Sequence, residues 1–185
     1  MTSFDPAAYG SLVAGLLRDV PPAPLTAGTP RTEFRNALVV LTPEKLFADA
    51  GRPVTDSKMA ELCIAGLWLR HNYFAESHVI SQEIETQTGS FWHGILHRRE
   101  PDYGNARYWF RRVGGHAIYP DLAKAAMAAG WPQIGRWDGA VFVDRVEKAC
   151  KAGAAGPEAE LCVKVQQLEW ELLFDFSWQR ALGNE

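Results

Sequence analysis

The sequence predicts an all-α fold, an irregular bundle of about seven or eight helices with two central antiparallel helical hairpins. Three observations favour this class. Apolar residues recur with the 3.6-residue period of a helix, capping residues precede these segments, and no clear segment alternates as a strand would. A chain of 185 residues is typical of one domain, so residues 1–185 are expected to form a single α-helical domain.

The N-terminal part of the chain predicts two short helices separated by an extended connector. An Asp-Pro pair at residues 5–6 is typical of a helix start, and apolar residues then recur on one face. Residues 21–31, with the sequence PPAPLTAGTPR, show no period and predict an extended connector. Residues 34–41 fit either a helix or a short strand. A short helix is predicted over residues 42–51.

Four helices are predicted in the middle of the chain, over residues 56–70, 74–85, 91–99 and 103–113. Thr55 is the expected cap of the first helix, whose ELCIAGLWL stretch is apolar nearly all round and is expected at the centre of the fold. The Thr-Gly-Ser sequence at 88–90 is expected to break the chain before the third helix. Asp102 is the expected cap of the fourth helix, and the glycine pair at 114–115 ends it.

Three further helices are predicted in the C-terminal part. An Ala-rich helix is expected over residues 120–130, and Asp138 caps a helix that runs to about residue 151. The last helix begins at Pro157 and keeps one face apolar to about Phe176.

The four central helices resemble two copies of one helical hairpin. The sequence GLWLR at 66–70 aligns with GILHR at 94–98, and Ser77 aligns with Ala106. The copies stand about 28 residues apart, a spacing typical of helix–turn–helix repeats. Ala106 and the aromatic residues that follow it resemble the second helix of a tetratricopeptide-type repeat. This resemblance implies a close helix crossing at Ala106 and leaves a protein-interaction module open as a function.

All five histidines lie between residues 71 and 116, and two of them share one predicted helix face with a carboxylate. His93 and His97 are four residues apart and Glu100 follows three later, so a helix directs all three side chains to one side. Two imidazoles at this spacing bind a divalent metal ion in helical sites, and a carboxylate can complete the set. His78 joins them if its helix packs antiparallel.

These residues define the candidate metal or catalytic site, His93, His97 and Glu100, with His78 as a further ligand. A metal-dependent or acid–base enzyme is one interpretation of this site. The alternative is a polar cluster in which each imidazole only forms hydrogen bonds with its neighbours.

Arginine and aromatic side chains in the same segment predict a second kind of site. Guanidinium groups bind carboxylates and phosphates with two hydrogen bonds, and aromatic rings stack on planar groups. The leading interpretation is therefore a soluble protein that binds a small anionic ligand in a pocket lined by histidine, glutamate and arginine, through His78, Arg98, Arg107, Tyr108 and Arg111. The alternative is that these arginines are solvated and pair with local carboxylates.

Residues 93–111 carry the pattern H-x-x-x-H-R-x-E-x-D-x-x-N-A-x-Y-W-F-R. In this pattern the chain resembles a family of uncharacterised microbial proteins marked by the same signature. The resemblance extends more loosely over residues 76–88. It implies no particular activity.

Composition and motifs exclude several function classes. The net charge of −3 gives no reason to expect nucleic acid or an anionic membrane as a partner. The sequence contains no Gly-x-Ser-x-Gly elbow and no glycine-rich phosphate loop. The three cysteines lie in apolar surroundings without a CxxC pair, so reduced thiols and a cytoplasmic location are expected.

Overall fold

The computed structural model describes residues 4–132 and 135–184, and these residues contain ten α-helices and no strand. The all-α prediction is confirmed. The helices outnumber the predicted seven or eight, and the N-terminal region has three short ones where two were predicted, α1 (Ser11–Leu17), α2 (Arg35–Val39) and α3 (Pro43–Leu46). Three short 3-10 helices stand beside them. The ambiguous segment 34–41 is therefore helical.

Seven longer helices form the bundle: α4 (Ser57–Arg70), α5 (Phe74–Glu83), α6 (Gln87–Arg99), α7 (Tyr103–Val113), α8 (Tyr119–Ala128), α9 (Gly139–Lys151) and α10 (Pro157–Ala181). Helix α4 packs against α5, α6 and α10, and α6 also packs against α5 and α7. Residues 62–70 of α4 are all buried, so its expected central position is confirmed. Among the described residues, no helix is long and apolar enough to cross a membrane.

Two helices begin at residues other than those predicted, α4 one residue later and α6 four residues earlier. Asp56 caps α4 by accepting a hydrogen bond from the Met59 amide. The amide and the hydroxyl group of Thr55 both donate to the Ala181 carbonyl oxygen instead. Thr86 caps α6 by accepting a hydrogen bond from the Gly89 amide, so residues 88–90 lie inside the helix. Glycine suits this first turn because a Cβ atom at Gly89 would lie 2.0 Å from the Ile84 carbonyl oxygen.

The predicted starts of α7 and α10 are confirmed, and α10 extends beyond Phe176, to which its apolar face was predicted. Asp102 accepts a hydrogen bond from the Asn105 amide and so caps α7. Helix α10 continues past Phe176 to Ala181 because Trp178 and Ala181 are buried in the core.

Two adjacent arginines at the end of α6 fix this helix within the bundle. Arg98 is fully buried and donates two hydrogen bonds to the carboxylate of Glu169 in α10. Arg99 donates to the carbonyl oxygens of Pro24 and Ala27, 3.1 and 3.3 Å away, and so holds the extended connector against the bundle. The helix that carries two of the candidate histidines is therefore anchored from both sides.

The two central hairpins have small residues at corresponding positions, although Gly66 contacts the other hairpin and Gly94 contacts the second helix of its own hairpin. A Cβ atom at Gly66 would lie 2.7 Å from the Trp92 ring, and one at Gly94 would lie 3.0 Å from the Phe110 ring. Ser77 and Ala106, which align in the two copies, are both fully buried. Small residues are thus required at equivalent points of both hairpins.

The substitution Ala106→Leu should lower the free energy of unfolding by about 1–3 kcal/mol, because additional methylene groups overpack a fully buried helix contact. Chemical denaturation of the two proteins measures the effect. Tyr108→Leu is the control, since Tyr108 is on the same helix and is 46% exposed. An Ala106→Leu midpoint equal to that of the wild type would contradict the close crossing.

Candidate functional site

Three histidines from two helices converge at one point of the bundle. His78 on α5 meets His93 and His97 on α6, and one nitrogen from each ring lies within 4.8 Å of the others. The ring centroids of His78 and His93 are 4.5 Å apart, and those of His93 and His97 are 4.7 Å apart. The structure thus brings together three histidines that were predicted to meet if the helix of His78 packs antiparallel to the helix of His93 and His97.

The local fold explains this convergence. His93 and His97 are one turn apart on α6, so their rings stack with an interplanar angle of 21°. Only residues 84–86 connect α5 to α6, and the two helices pack against each other. This short connection directs the His78 ring edge-on to both rings of α6.

Burial keeps the two histidines of α6 neutral. His93 is 3% exposed and His97 is 7% exposed, whereas His78 is half-buried. Burial and the two neighbouring imidazoles lower the pKa of His93 to about 3. Burial, with His78 beside it, also lowers the pKa of His97. A neutral imidazole is the form that binds a metal ion.

One ring nitrogen of His93 lacks a protein partner. Its Nδ1 atom is buried and has no hydrogen bond to any residue in the ranges 4–132 and 135–184. A buried polar atom without a partner costs free energy, so such atoms in native proteins often mark a place for water or an ion. The indole ring of Trp109 covers the His93 ring at a centroid distance of 4.0 Å.

His97 contacts polar side chains from the turn that follows α6. Its Nδ1 atom lies 3.4 Å from a carboxylate oxygen of Glu100 and 3.9 Å from one of Asp102. Its Nε2 atom lies 3.1 Å from the side-chain nitrogen of Asn105. Neither contact is a hydrogen bond, but two carboxylates on this side of the ring favour the proton on Nδ1, and carboxylates near the distal nitrogen are common around metal-binding histidines.

Glu100 occupies a different position from the one expected on the helix face. It is the C-cap of α6, and its carboxylate reaches His97 instead of completing the group of three nitrogens. Burial raises the pKa of Glu100. Its side chain is 39% exposed, so solvent reaches the carboxylate.

The residues predicted to bind an anion are dispersed. Arg98 is fully buried against Glu169, and Arg107 forms ion pairs with Asp144 and Glu147 at 2.8 and 2.7 Å. We therefore assign neither arginine to a ligand. Tyr108 is exposed beside Trp109, and Arg111 lines a cavity near the start of α9. The histidine cluster and the predicted arginine pocket are not one site.

Asn105 and Trp109 contact the histidines, but the sequence reasoning assigned them no part in the site. The short turn at residues 100–102 could have indicated their position, because it folds α7, which carries both residues, back along α6. The remaining histidines lie outside the cluster. His71 stacks on Phe34, and His116 contacts Thr88.

Acid should destabilise the protein through its buried neutral histidines. Burial lowers the pKa of His116 to about 4, whereas a histidine in an unfolded chain titrates near 6.5. The stabilisation is therefore complete above about pH 6.5 and is lost as the pH falls toward 4, because only the unfolded state takes up the proton. We expect His116 alone to contribute about 2–3 kcal/mol to this loss.

Urea denaturation at a series of pH values measures this loss. The variant His116→Gln should show a shallower fall in stability between pH 6.5 and 4 than the wild type. Equal slopes for the two proteins would contradict the assignment of His116 as a buried neutral group.

Comparisons with protein-family models, curated proteins and solved structures found no match. The interpretation of the site therefore rests on its geometry and chemistry. Membership of the family suggested by the pattern in residues 93–111 stays a prediction.

Proposed function

We propose that the protein binds one divalent transition-metal ion, zinc, through His78, His93 and His97. The observation that carries this proposal is the convergence of three imidazole nitrogens within 4.8 Å of one another. Two of the rings are buried and neutral, and the Nδ1 atom of each has no hydrogen-bond partner within the described ranges. A buried cluster of three facing imidazoles is costly without a group that uses their lone pairs.

The ligand set favours zinc. Imidazole nitrogens bind zinc at about 2.0–2.1 Å, whereas magnesium and calcium prefer oxygen ligands. Three nitrogens around one tetrahedral zinc ion stand about 3.3 Å apart, so the rings need to approach by up to about 1.5 Å. His78 is the least buried of the three and lies on the shorter helix, so its side chain can supply this movement.

The carboxylates beside His97 support the same assignment. Glu100 and Asp102 lie on the Nδ1 side of the ring and favour the proton there, which leaves Nε2 as the nitrogen with the lone pair. Asn105 donates a hydrogen bond to that nitrogen, and a metal ion would take its place.

The arrangement is that of a catalytic rather than a structural zinc site. Structural sites use four protein ligands, whereas three ligands leave one position for water or substrate. His78 and Glu100 are partly exposed, so this position is accessible from solvent. Zinc in such sites activates water or polarises a carbonyl group. Glu100 contacts the far side of the His97 ring and would orient that ligand, and water at the open position would be the nucleophile, so we propose a hydrolytic enzyme.

Metal titration of untagged, chelator-treated protein tests the proposal. One equivalent of zinc should bind, in competition with a chromophoric chelator. Cobalt should give the intense visible absorption of a four-coordinate site, and azide or acetohydroxamate should change that spectrum by entering the open position. No zinc binding would overturn the metal assignment. A cobalt spectrum indifferent to both ligands would overturn the open position.

A further inference from the structure

A concave site lies beside α7, lined by residues other than those that contact the three histidines. It is a cavity of about 420 Å³ between the C-terminal end of α7 and the N-terminal end of α9. Its volume falls within the range of small-molecule sites. The side chains that give the cavity its chemistry are Phe110, Arg111, Tyr119, Arg136, Trp137 and Asp138.

Two arginines at this cavity have no ion-pair partner in the part of the chain that the structure describes. Arg111 and Arg136 are both exposed at the cavity. Other arginines of the same region do have carboxylate partners, since Arg107 pairs with Asp144 and Arg145 pairs with Glu158. The cavity thus offers two guanidinium groups for an anion.

Buried donors at the cavity also lack partners. Trp137 is 2% exposed and Tyr119 is 5% exposed, and within residues 4–132 and 135–184 neither the indole N–H nor the phenol hydroxyl forms a hydrogen bond. Buried donors without acceptors cost free energy, and they are a common feature of sites that bind an acceptor. An anion supplies several acceptor oxygens.

The acidic group at the cavity is engaged elsewhere. The carboxylate of Asp138 accepts hydrogen bonds from the amides of Ala140 and Val141, at 2.8 and 3.3 Å, as the cap of α9. The two arginines therefore outnumber it, and the cavity carries a net positive charge.

A glycine pair leaves room for one of the arginines. A Cβ atom at Gly115 would lie 2.9 Å from a terminal nitrogen of Arg136. Gly114 has a φ of +62° and no neighbour within 4 Å of a Cβ atom, so the chain turns there without a side chain in the cavity mouth. The loop thus leaves space at the cavity for the guanidinium of Arg136.

We infer that this cavity binds a small oxyanion, a carboxylate- or phosphate-bearing metabolite, through Arg111 and Arg136. Guanidinium groups bind both kinds of oxyanion with charge-assisted hydrogen bonds. The aromatic side chains of Phe110 and Trp137 suit an organic portion of the ligand. This site does not depend on the metal site.

Isothermal titration at low ionic strength tests the inference, with citrate and inorganic pyrophosphate as the two probes. Whichever of the two probes fits the cavity better should bind with one-to-one stoichiometry. Arg111→Ala and Arg136→Ala should each weaken its binding by about tenfold, since each removes a charge-assisted contact. Arg112→Ala is the matched control, because Arg112 is exposed on the same helix and does not line the cavity.

The preferred probe identifies the ligand class, a carboxylate if citrate binds more tightly and a phosphate if pyrophosphate does. Two outcomes overturn the inference. One is no binding of either probe at millimolar concentration. The other is binding that Arg111→Ala and Arg136→Ala weaken no more than Arg112→Ala does, which would indicate nonspecific attraction to the surface.

Discussion

The variant Glu169→Ala should lose about 3–5 kcal/mol of stability, because it leaves the Arg98 guanidinium charged and unpaired in the core. Both side chains are fully buried, and the second hydrogen bond of the pair joins Arg98 Nη1 to Glu169 Oε1 over 3.2 Å. The ring of Phe142 lies over the guanidinium carbon at 4.4 Å and covers that face of the group. Chemical denaturation measures this loss.

A more exposed ion pair provides the control for Glu169→Ala. Arg145 pairs with Glu158, whose side chain is 45% exposed. The variant Glu158→Ala should change stability by no more than about 1 kcal/mol. The double variant Arg98→Met/Glu169→Leu should recover much of the stability, since replacing a buried ion pair by apolar residues is often neutral. Equal losses for Glu169→Ala and Glu158→Ala would contradict the role assigned to the buried pair.

The variant His93→Gln should weaken zinc binding by at least about 100-fold, because it removes one of three ligands. Substitution of a residue that only hydrogen-bonds to a ligand already lowers metal affinity by up to about 100-fold. His93 lies at the middle of the cluster, with ring centroids of His78 and His97 at 4.5 and 4.7 Å. Competition with a chromophoric chelator measures the affinity.

His116→Gln is the matched control for His93→Gln. Both imidazoles are buried, at 5% and 3% exposure, but His116 lies outside the cluster. Circular dichroism of both variants checks that the helices persist. Equal zinc affinities for the two variants would remove His93 from the site and with it the three-histidine centre.

The histidine cluster was predictable because local rules govern it. The spacing of His93 and His97 follows from the helical repeat, and a short connection brings the preceding helix with His78 alongside. The alignment of the two hairpins likewise predicted that Ala106 is buried, because it also depends on local sequence. Patterns that span about one helical turn or one hairpin can be recognised in a single sequence.

Long-range partners were not predictable in this way. Arg98 was expected to bind a ligand, but its partner Glu169 lies 71 positions away on α10. Nothing in the local pattern distinguishes Arg98 from Arg111, which does line a cavity. That cavity also depends on Arg136, from a segment with no periodic signal. Tertiary packing decides which arginine is buried and which is free.

X-ray absorption spectroscopy of the zinc-loaded, untagged protein tests the central claim most directly. We expect one zinc ion with three imidazole nitrogens at about 2.0–2.1 Å and one oxygen ligand at a similar distance. His116→Gln should give the same spectrum, and His93→Gln should lose one imidazole contribution. A six-coordinate shell dominated by oxygen, or a spectrum that His93→Gln leaves unchanged, would contradict a zinc centre at His78, His93 and His97.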